Sequence, residues 1–402
     1  MKHLIDIHEE RCIGCTRCMR TCPTEAIRII NNRANLIQEK CIYCGNCITS
    51  CHKNAYRVTS DSFANFDKHH INVAILPLAI FGMFNNIEEL QGAYNTLYNY
   101  GFDEIFDLSY VMELLHERVI KHVSRENKTY ILSSCPSVVR LIQLKYPSLI
   151  DNLLPFDYPF EIGAKIARRI FSEKYQVDED QIGISYISEC FSNYATIKDR
   201  LSTKKTAINH LFLYNDIFRR NVEKSDTSIN ISKMGIRFAT VGAYQKFNKD
   251  KAILAVDSIG QVDEVLHYLY LNRIPNVKLI EAYSCIGGCI GGNFTVINPF
   301  VAKWNISEIS KQVINKVFNE NYGSILDDQD FFFTEEINPI ITYKLGADIN
   351  QSLLKMTQIN EILAKLPNID CCACGSPSCR ALAEDIVNGL KSLNDCHILR
   401  KE

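Results

Sequence analysis

The most constraining feature of this sequence is a four-cysteine motif that occurs twice near its start. The motif is Cys-x2-Cys-x2-Cys-x3-Cys, and its copies are Cys12, Cys15, Cys18 and Cys22, then Cys41, Cys44, Cys47 and Cys51. The chain has 17 cysteines, and its polar first ten residues lack the apolar segment of a secretion signal. Because disulfides are rare in reducing compartments, this cysteine density indicates metal ligation rather than a disulfide framework.

The remaining cysteines form two further sets. Four are spread over the middle of the chain, at Cys135, Cys190, Cys285 and Cys289, and five lie close to its end, at Cys371, Cys372, Cys374, Cys379 and Cys396. If each metal site takes four cysteines, only Cys372 is surplus. An alternative for the middle set is that its members are ordinary buried cysteines, since a free cysteine packs as a small apolar residue.

Length and composition narrow the class of protein. A chain of 402 residues is long enough for two or three domains. Its formal net charge is −2 with both signs evenly mixed, which gives no support for nucleic-acid or anionic-membrane binding. The longest apolar run, 73–84, contains Pro77 and Gly82 and is too short to span a bilayer. We therefore expect a cytoplasmic protein without a membrane span.

Strand-like and helix-like segments alternate from residue 70 onward. Asn86 is expected to cap a helix that ends at Gly101. Strands are expected at 104–108, 129–132, 182–187, 253–256 and 277–280, the first of them buried. This alternation predicts an α/β core with a largely parallel sheet. Three of the strands run directly into Cys135, Cys190 or Cys285, and because ligands bind beyond the carboxyl ends of parallel strands, these cysteines are expected to converge on one site.

The two ends of the chain are predicted to form smaller structures. Near the start, 26–30 and 34–37 flank Asn31-Asn32-Arg33 as a small hairpin, and a polar linker follows at 59–70. The end of the chain has a helical stretch at 378–393 between its cysteines.

The two N-terminal motifs resemble those of bacterial two-cluster ferredoxins. The first copy ends in Cys22-Pro23 as in that family, whereas the second has His52 where proline is usual. In that family three closely spaced cysteines bind one [4Fe–4S] cluster and the fourth ligand comes from the other motif. The resemblance implies an α+β domain with two clusters, one held by Cys12, Cys15, Cys18 and Cys51 and the other by Cys41, Cys44, Cys47 and Cys22. The alternative is a pair of zinc sites, but three cysteines at this spacing do not suit paired zinc sites.

The C-terminal cysteines resemble a small four-cysteine Fe–S domain found in redox chains. The resemblance covers residues 366–402 and implies one further cluster, with Cys371, Cys374, Cys379 and Cys396 as its ligands. Cys372 occupies a position that is commonly glycine in this motif, and we do not expect it to bind the cluster. A structural zinc would suit the same four thiolates and stays open here. His52 and His397 each follow a predicted ligand and are expected at the surface, since four thiolates already complete each site.

Two of the four middle cysteines lie in a segment with paired glycines. Segment 281–292 reads Glu-Ala-Tyr-Ser-Cys-Ile-Gly-Gly-Cys-Ile-Gly-Gly and resembles the third signature of the catalytic domain of [FeFe] hydrogenases. The resemblance extends over 70–305 and is closest to hydrogenase-like proteins thought to sense or signal. It implies that a [4Fe–4S] cube is held by Cys135, Cys190, Cys285 and Cys289. In active members the second cysteine of this signature, here Cys289, also bridges to a diiron unit.

Four positions around the implied diiron pocket depart from that family. Ser134 replaces a proton-relaying cysteine, and Tyr283 replaces a methionine. Asn193 lies where a lysine pairs with one cyanide, and Leu78 replaces a serine that donates a hydrogen bond to the other. Burying an anionic ligand without its cation and its donor costs on the order of several kcal/mol. We therefore predict a cube without a functional diiron unit, and the candidate residues of the altered pocket are Ser134, Asn193 and Cys289.

Together, these motifs predict three domains. They are a two-cluster ferredoxin-like domain at 1–60, an [FeFe]-hydrogenase-like domain at 70–345, and a small helical four-cysteine Fe–S domain at 360–402. The predicted function is electron transfer or redox sensing with a redox partner protein, in the cytoplasm of an anaerobic host. One predicted helix carries cations that could steer an acidic partner or form a solvated face, namely Lys165, Arg168 and Arg169.

Two alternatives to this function remain from the sequence. One is an active [FeFe] hydrogenase or hydrogen sensor, an oxidoreductase that combines two protons and two electrons into hydrogen. The other is a structural scaffold in which zinc fills the cysteine sites.

Overall fold

The computed structural model describes residues 4–62, 69–199, 206–218, 224–249, 251–313, 327–341 and 348–401. Part of the predicted linker, 63–68, and the predicted end of the core at 345 lie outside these ranges. The chain forms two compact units, one made of Met1–Val58 with Pro339–Glu402 and the other of Thr59–Asn338. The N-terminal and C-terminal cysteines thus share one unit. Within the described ranges, no helix is long and apolar enough to cross a membrane.

The N-terminal part of the first unit contains two small antiparallel strand pairs. Its elements are β1 (Asp6–Ile7), α1 (Arg17–Arg20), β2 (Ile27–Ile30), β3 (Arg33–Leu36), α2 (Asn46–Ser50) and β4 (Tyr56–Arg57). β1 pairs with β4, and β2 pairs with β3. Asn31 and Asn32 join β2 to β3 with φ angles of 50° and 57°, a left-handed conformation that asparagine tolerates in two-residue turns. The predicted hairpin is confirmed.

The second unit alternates strands and helices along its length. Its first half contains β5 (Ile71–Leu76), α3 (Ile87–Asn99), β6 (Glu104–Asp107), α4 (Ser109–Val123), β7 (Tyr130–Ile131), α5 (Pro136–Lys145) and α6 (Pro159–Tyr175). Its second half contains β8 (Ile182–Ser188), α7 (Phe191–Asp199), β9 (His210–Leu213), α8 (Tyr214–Ile217), α9 (Ala243–Phe247), β10 (Ile253–Val256), α10 (Ile259–Tyr270), β11 (Leu279–Ala282) and α11 (Pro299–Gln312).

Two parallel sheets form the centre of the second unit. The larger has the strand order β6-β5-β8-β9 and the smaller has the order β10-β11-β7. Every pairing within them is parallel. β5 and β8 lie inside the larger sheet and all their residues are buried, as expected for parallel strands covered on both faces. The predicted α/β core with a largely parallel sheet is confirmed.

Some predicted elements need correction in detail. The strand predicted at 277–280 begins two residues later, because β11 pairs with β10 only from Leu279 onward. The expectation that 104–108 is a buried strand is wrong, since β6 lies at the sheet edge and three of its four residues are half-buried. The cap of α3 is as predicted, because Asn86 Oδ1 accepts a hydrogen bond from Glu89 N at 2.9 Å.

Two further helices complete the first unit, α12 (Ile349–Lys365) and α13 (Cys379–Val387). They pack around a small apolar cluster that includes Ile359 and Leu382. The helix predicted at 378–393 ends earlier, at Val387, because Gly389 takes a φ of +73° that reverses the chain.

Candidate iron–sulfur sites

The two N-terminal motifs adopt the same backbone shape. Two residues after the first cysteine of each motif, Gly14 and Tyr43 have φ angles of 65° and 56°. Four residues after it, Thr16 and Gly45 have φ angles of 67° and 75°. Only glycine takes such angles without strain, so the surrounding fold must hold Thr16 and Tyr43 in them. The repeated sequence therefore folds as a repeated cysteine cradle.

Backbone N–H groups point at cysteine sulfurs in both motifs. Four of them donate over N···S distances of 3.2 to 3.4 Å: Ala26 N to Cys22, Ala34 N to Cys12, Tyr43 N to Cys41 and Ala55 N to Cys51. Donors to sulfur favour the thiolate, which is the form that ligates metal. The geometry fits the two predicted clusters, while the assignment of each cysteine to one of them stays a prediction.

Burial acts in the opposite direction on two of these cysteines. It raises the pKa of Cys18, and it raises the pKa of Cys47 well above the usual value, with neighbouring cysteines adding to the effect at Cys47. Without metal these thiols keep their protons at neutral pH, so iron has to displace the protons on binding.

The C-terminal cysteines surround the start of α13. Cys379 and Cys396 are buried in the apolar cluster between α12 and α13, and Cys374 packs against it. The backbone N–H of Cys379 donates to Asp370 Oδ1 at 2.6 Å, which ties the segment before the cysteines to the helix. Three of the four predicted ligands are thus held around one small core.

The surplus cysteine has a local role in this segment. Cys372 has a φ of +64°, a conformation that glycine adopts more easily, and its thiol donates to Pro377 O at 3.2 Å. The two histidines that follow predicted ligands, His52 and His397, are exposed at the surface.

The C-terminal cysteine segment is joined to β2 of the N-terminal hairpin. Ile29 N donates to Gly375 O at 2.8 Å. A Cβ at Gly375 would lie 2.3 Å from Ile29 O, so this approach requires glycine. Beside it, Arg28 Nε pairs with Asp385 Oδ2 at 2.7 Å, and the two side chains are only 5% and 7% exposed. Regions from opposite ends of the sequence therefore form one packed unit.

The four middle cysteines line one cavity in the second unit. Cys135 follows β7 at the start of α5, Cys190 lies between β8 and α7, and Cys285 and Cys289 follow β11. β8 belongs to the larger sheet, whereas β7 and β11 belong to the smaller one. The carboxyl ends of both sheets therefore open on the same cavity, which is where α/β folds bind ligands. The structure brings these cysteines together as the sequence predicts, and their role as ligands stays a prediction.

Glycines bring the cysteine loop close to the rest of the cavity wall. Gly288 has a φ of +97°, and a Cβ there would lie 2.7 Å from Ala239 O. A Cβ at Gly292 would lie 2.4 Å from Glu189 O, next to Cys190. The paired glycines of the motif thus allow backbone-to-backbone approach around the cysteines.

Burial makes the cavity unfavourable for free thiolates. It raises the pKa of Cys285 to about 12 and raises the pKa of Cys190 and Cys289 well above the usual value. Iron bound to these sulfurs would supply the positive charge that stabilises the deprotonated form. Within the described ranges, no three His, Cys, Asp or Glu side chains form a group that could hold one metal ion. In a [4Fe–4S] cube, by contrast, each thiolate binds a different iron.

The four positions that depart from the hydrogenase pattern line this same cavity: Leu78, Ser134, Asn193 and Tyr283. Asn193 is buried, and its side-chain amide donates to Tyr186 Oη at 3.1 Å and to Glu189 Oε1 at 3.0 Å. Both N–H donors of that amide are therefore committed to neighbouring side chains.

Glu189 is a cavity residue that sequence reasoning missed. Its carboxylate accepts a hydrogen bond from Tyr186 Oη at 2.7 Å as well as the one from Asn193, and burial raises its pKa to about 7. The only sequence feature that could have indicated this residue is its position directly before Cys190. A glutamate after a strand is usually exposed, so its burial is visible only in the fold.

The interpretation of the α6 cations as a partner-steering or solvated face is wrong. Lys165 Nζ pairs with Asp157 Oδ2 at 2.8 Å, and Arg169 pairs with Asp330. Arg168 donates to three backbone carbonyls and one side-chain oxygen. These three side chains hold segments of the second unit together.

Comparison with known families finds three matching segments. A model of the 4Fe–4S dicluster domain matches residues 4–52, and one of an Fe–S cluster family matches 366–398. Between them, a model of the iron-only hydrogenase large subunit, C-terminal domain, matches 78–219, which includes Cys135 and Cys190. The chain is a hydrogenase-like, multi-cluster iron–sulfur protein. The resemblances expected from its cysteine motifs are confirmed.

Solved structures show the same fold for the hydrogenase-like core. An [FeFe]-hydrogenase studied for oxygen inactivation of its H cluster aligns with 69% of this chain and 98% of its own, at 13% identity and a TM-score of 0.50. A variant of the [FeFe]-hydrogenase HydA1 from Chlamydomonas reinhardtii aligns with 69% of this chain and 97% of its own, at 12% identity and a TM-score of 0.51. At such identities the likeness shows the fold alone.

Proposed function

We propose that this protein transfers or senses electrons and that its core holds a [4Fe–4S] cube without a diiron unit. The observation that carries the proposal is the hydrogen bonding of Asn193. Where an active hydrogenase needs a cation for a buried cyanide, this chain has an amide whose two donors are taken by Tyr186 and Glu189.

The rest of the cavity wall supports the same conclusion. Apart from the cysteines, the wall consists mostly of apolar side chains, which include Leu78, Leu108, Met112, Phe160 and Phe238. Among the described residues that line it there is no lysine, arginine or histidine, and Glu189 adds an acid. A cyanide ligand of a diiron unit would lose its hydration here without gaining a cation, which is unfavourable.

The predicted ligands account for four cubes. Cys135, Cys190, Cys285 and Cys289 would hold the core cube, and the remaining three would be held by the eight N-terminal cysteines and by Cys371, Cys374, Cys379 and Cys396. When bound, such clusters take up and release single electrons at potentials set by their hydrogen bonds and burial. A redox partner protein would supply or receive these electrons.

Infrared spectroscopy of the fully assembled protein tests this function. The protein is purified without oxygen, its cubes are reconstituted, and the diiron assembly machinery is supplied. We expect about sixteen irons per chain, four for each of four cubes, and no bands where iron-bound carbonyl and cyanide absorb. Such bands in the unmodified protein would refute the proposal and make hydrogen the substrate to test. The variant Ser134→Cys/Asn193→Lys is the matched comparison, since it restores the thiol and the cation.

A further inference from the structure

A surface groove of the second unit lies directly beside the core cysteine loop. It is lined by residues of α9, the end of β10 and α11. Two of its residues hold the loop: Val241 N donates to Gly287 O at 3.0 Å, and Asp257 Oδ2 accepts from Gly287 N at 2.8 Å. A molecule in this groove would contact residues bonded directly to the loop between Cys285 and Cys289.

The groove is positively charged. Arg237, Lys246 and Lys303 line it, and the one carboxylate among its described lining residues is Asp257, which the cysteine loop already uses. Lys246 and Lys303 are exposed, and neither has a carboxylate partner in the described part of the chain. Unpaired cations at a surface attract acidic partners and accelerate their association. The α6 cations cannot play this part because their own unit uses them.

An exposed aromatic face borders the groove. Phe300 and Trp304 lie one turn apart on α11 and are 73% and 65% exposed. Ile286, within the cysteine loop, is 53% exposed. The loop and the start of α11 are in contact, since a Cβ at Gly287 would lie 3.3 Å from Pro299 Cβ. Large apolar side chains next to a charged rim are typical of the centre of a protein–protein interface.

We propose that this groove and its aromatic border are the docking surface for a small acidic electron-carrier protein. The inference rests on the proposed electron-transfer function and adds the place and the charge of the partner. An apolar face alone would suit a second copy of this chain equally well. The two unpaired lysines that line the groove instead favour a partner of opposite charge. Docking here would place that partner against the loop that carries Cys285 and Cys289.

Binding of an acidic bacterial two-[4Fe–4S] ferredoxin, measured without oxygen by biolayer interferometry, tests the surface. We expect Lys246→Glu/Lys303→Glu to weaken binding at low salt about tenfold or more and to flatten its salt dependence. The control Lys121→Glu/Arg125→Glu reverses the same charge on exposed residues at the end of α4 and just after it, and it should bind as the unmodified protein does. Trp304→Ala should weaken binding about tenfold at all salt concentrations, because the contact it removes is apolar.

A second measurement places the partner on the surface. Trp304 is the sole tryptophan of the sequence, so carbene labelling of its side chain reports on this site alone. We expect the ferredoxin to protect Trp304 from labelling. Equal binding by the Lys246→Glu/Lys303→Glu variant and its control, or unprotected Trp304, would overturn the proposal.

Two controls separate this inference from the function on which it rests. If dithionite does not bleach the visible absorption of the unmodified protein, the electron-transfer function itself fails. If bleaching is normal but the ferredoxin does not bind at low salt, only the docking proposal fails. Concentration-dependent dimers that Trp304→Ala abolishes, seen by sedimentation, would assign the surface to a second copy and would also refute the acidic partner.

Discussion

Replacing Arg28 by methionine tests what joins the C-terminal cysteine segment to the N-terminal hairpin. Methionine keeps the apolar length of the side chain but removes the guanidinium that pairs with Asp385. The variant also removes the hydrogen bond from Arg28 Nη1 to Glu25 O at 2.8 Å. The carboxylate of Asp385 would still accept a hydrogen bond from Ser376 Oγ at 2.7 Å.

The expected magnitude follows from the burial of the pair. Both side chains are less than a tenth exposed, so the remaining carboxylate cannot be hydrated without opening the interface. Removing one partner of a buried ion pair costs about 3 to 5 kcal/mol. At 1.4 kcal/mol for each factor of ten, the opening equilibrium of this interface should increase roughly 100- to 4,000-fold.

Hydrogen exchange measured by mass spectrometry reports that opening directly. The amide of Ile29 donates to Gly375 O, so the peptide that covers β2 should exchange faster in Arg28→Met by the stated factor. The control Arg57→Met removes an exposed arginine of β4 and should leave the rate unchanged. The double variant Arg28→Met/Asp385→Leu should recover most of the protection, because no buried charge is left. Unchanged exchange in Arg28→Met, or no recovery in the double variant, would refute the reasoning.

Three single substitutions test other parts of the structure. Gly292→Ala places a Cβ 2.4 Å from Glu189 O and should cost about four irons per chain by iron analysis, whereas the control Gly260→Ala, where a Cβ meets nothing within 4 Å, should cost none. Cys372→Gly relieves a left-handed residue and should raise the free energy of unfolding by up to about 1 kcal/mol with unchanged iron; iron loss would make Cys372 a ligand. Burial raises the pKa of Glu161 from 4.5 to about 7, so its contribution to stability is complete below pH 4.5 and is lost as the pH rises through about 7. Glu161→Gln should therefore raise the unfolding free energy of the second unit at about pH 8, by at most about 3 kcal/mol because the amide cannot accept from both Thr206 and Ala207. An unchanged pH slope in denaturant titrations would contradict the burial argument.

The sequence determined the parts of this protein that depend on local chemistry. Cysteine spacing and paired glycines indicate cluster sites, because a cluster needs its thiolates at short and regular intervals. Strands that run into Cys135, Cys190 and Cys285 predict one site, because parallel strands end on the same side of a sheet. The turn at Asn31 and Asn32 is equally local, and the structure contains it.

Only the tertiary structure decided the features that depend on distant residues. The pairing of Arg28 with Asp385 joins the two ends of the chain, and no local pattern marks an arginine that will be buried. The α6 cations look solvated in sequence, yet their partners come from other elements. The sequence shows that asparagine replaces lysine at position 193. Only the structure shows that the Asn193 amide donates hydrogen bonds to Tyr186 and Glu189, because those bonds require the three side chains to pack together. The whole fold determines which side chains are buried and which partners they contact, whereas the spacing of the cysteines is a property of the sequence itself.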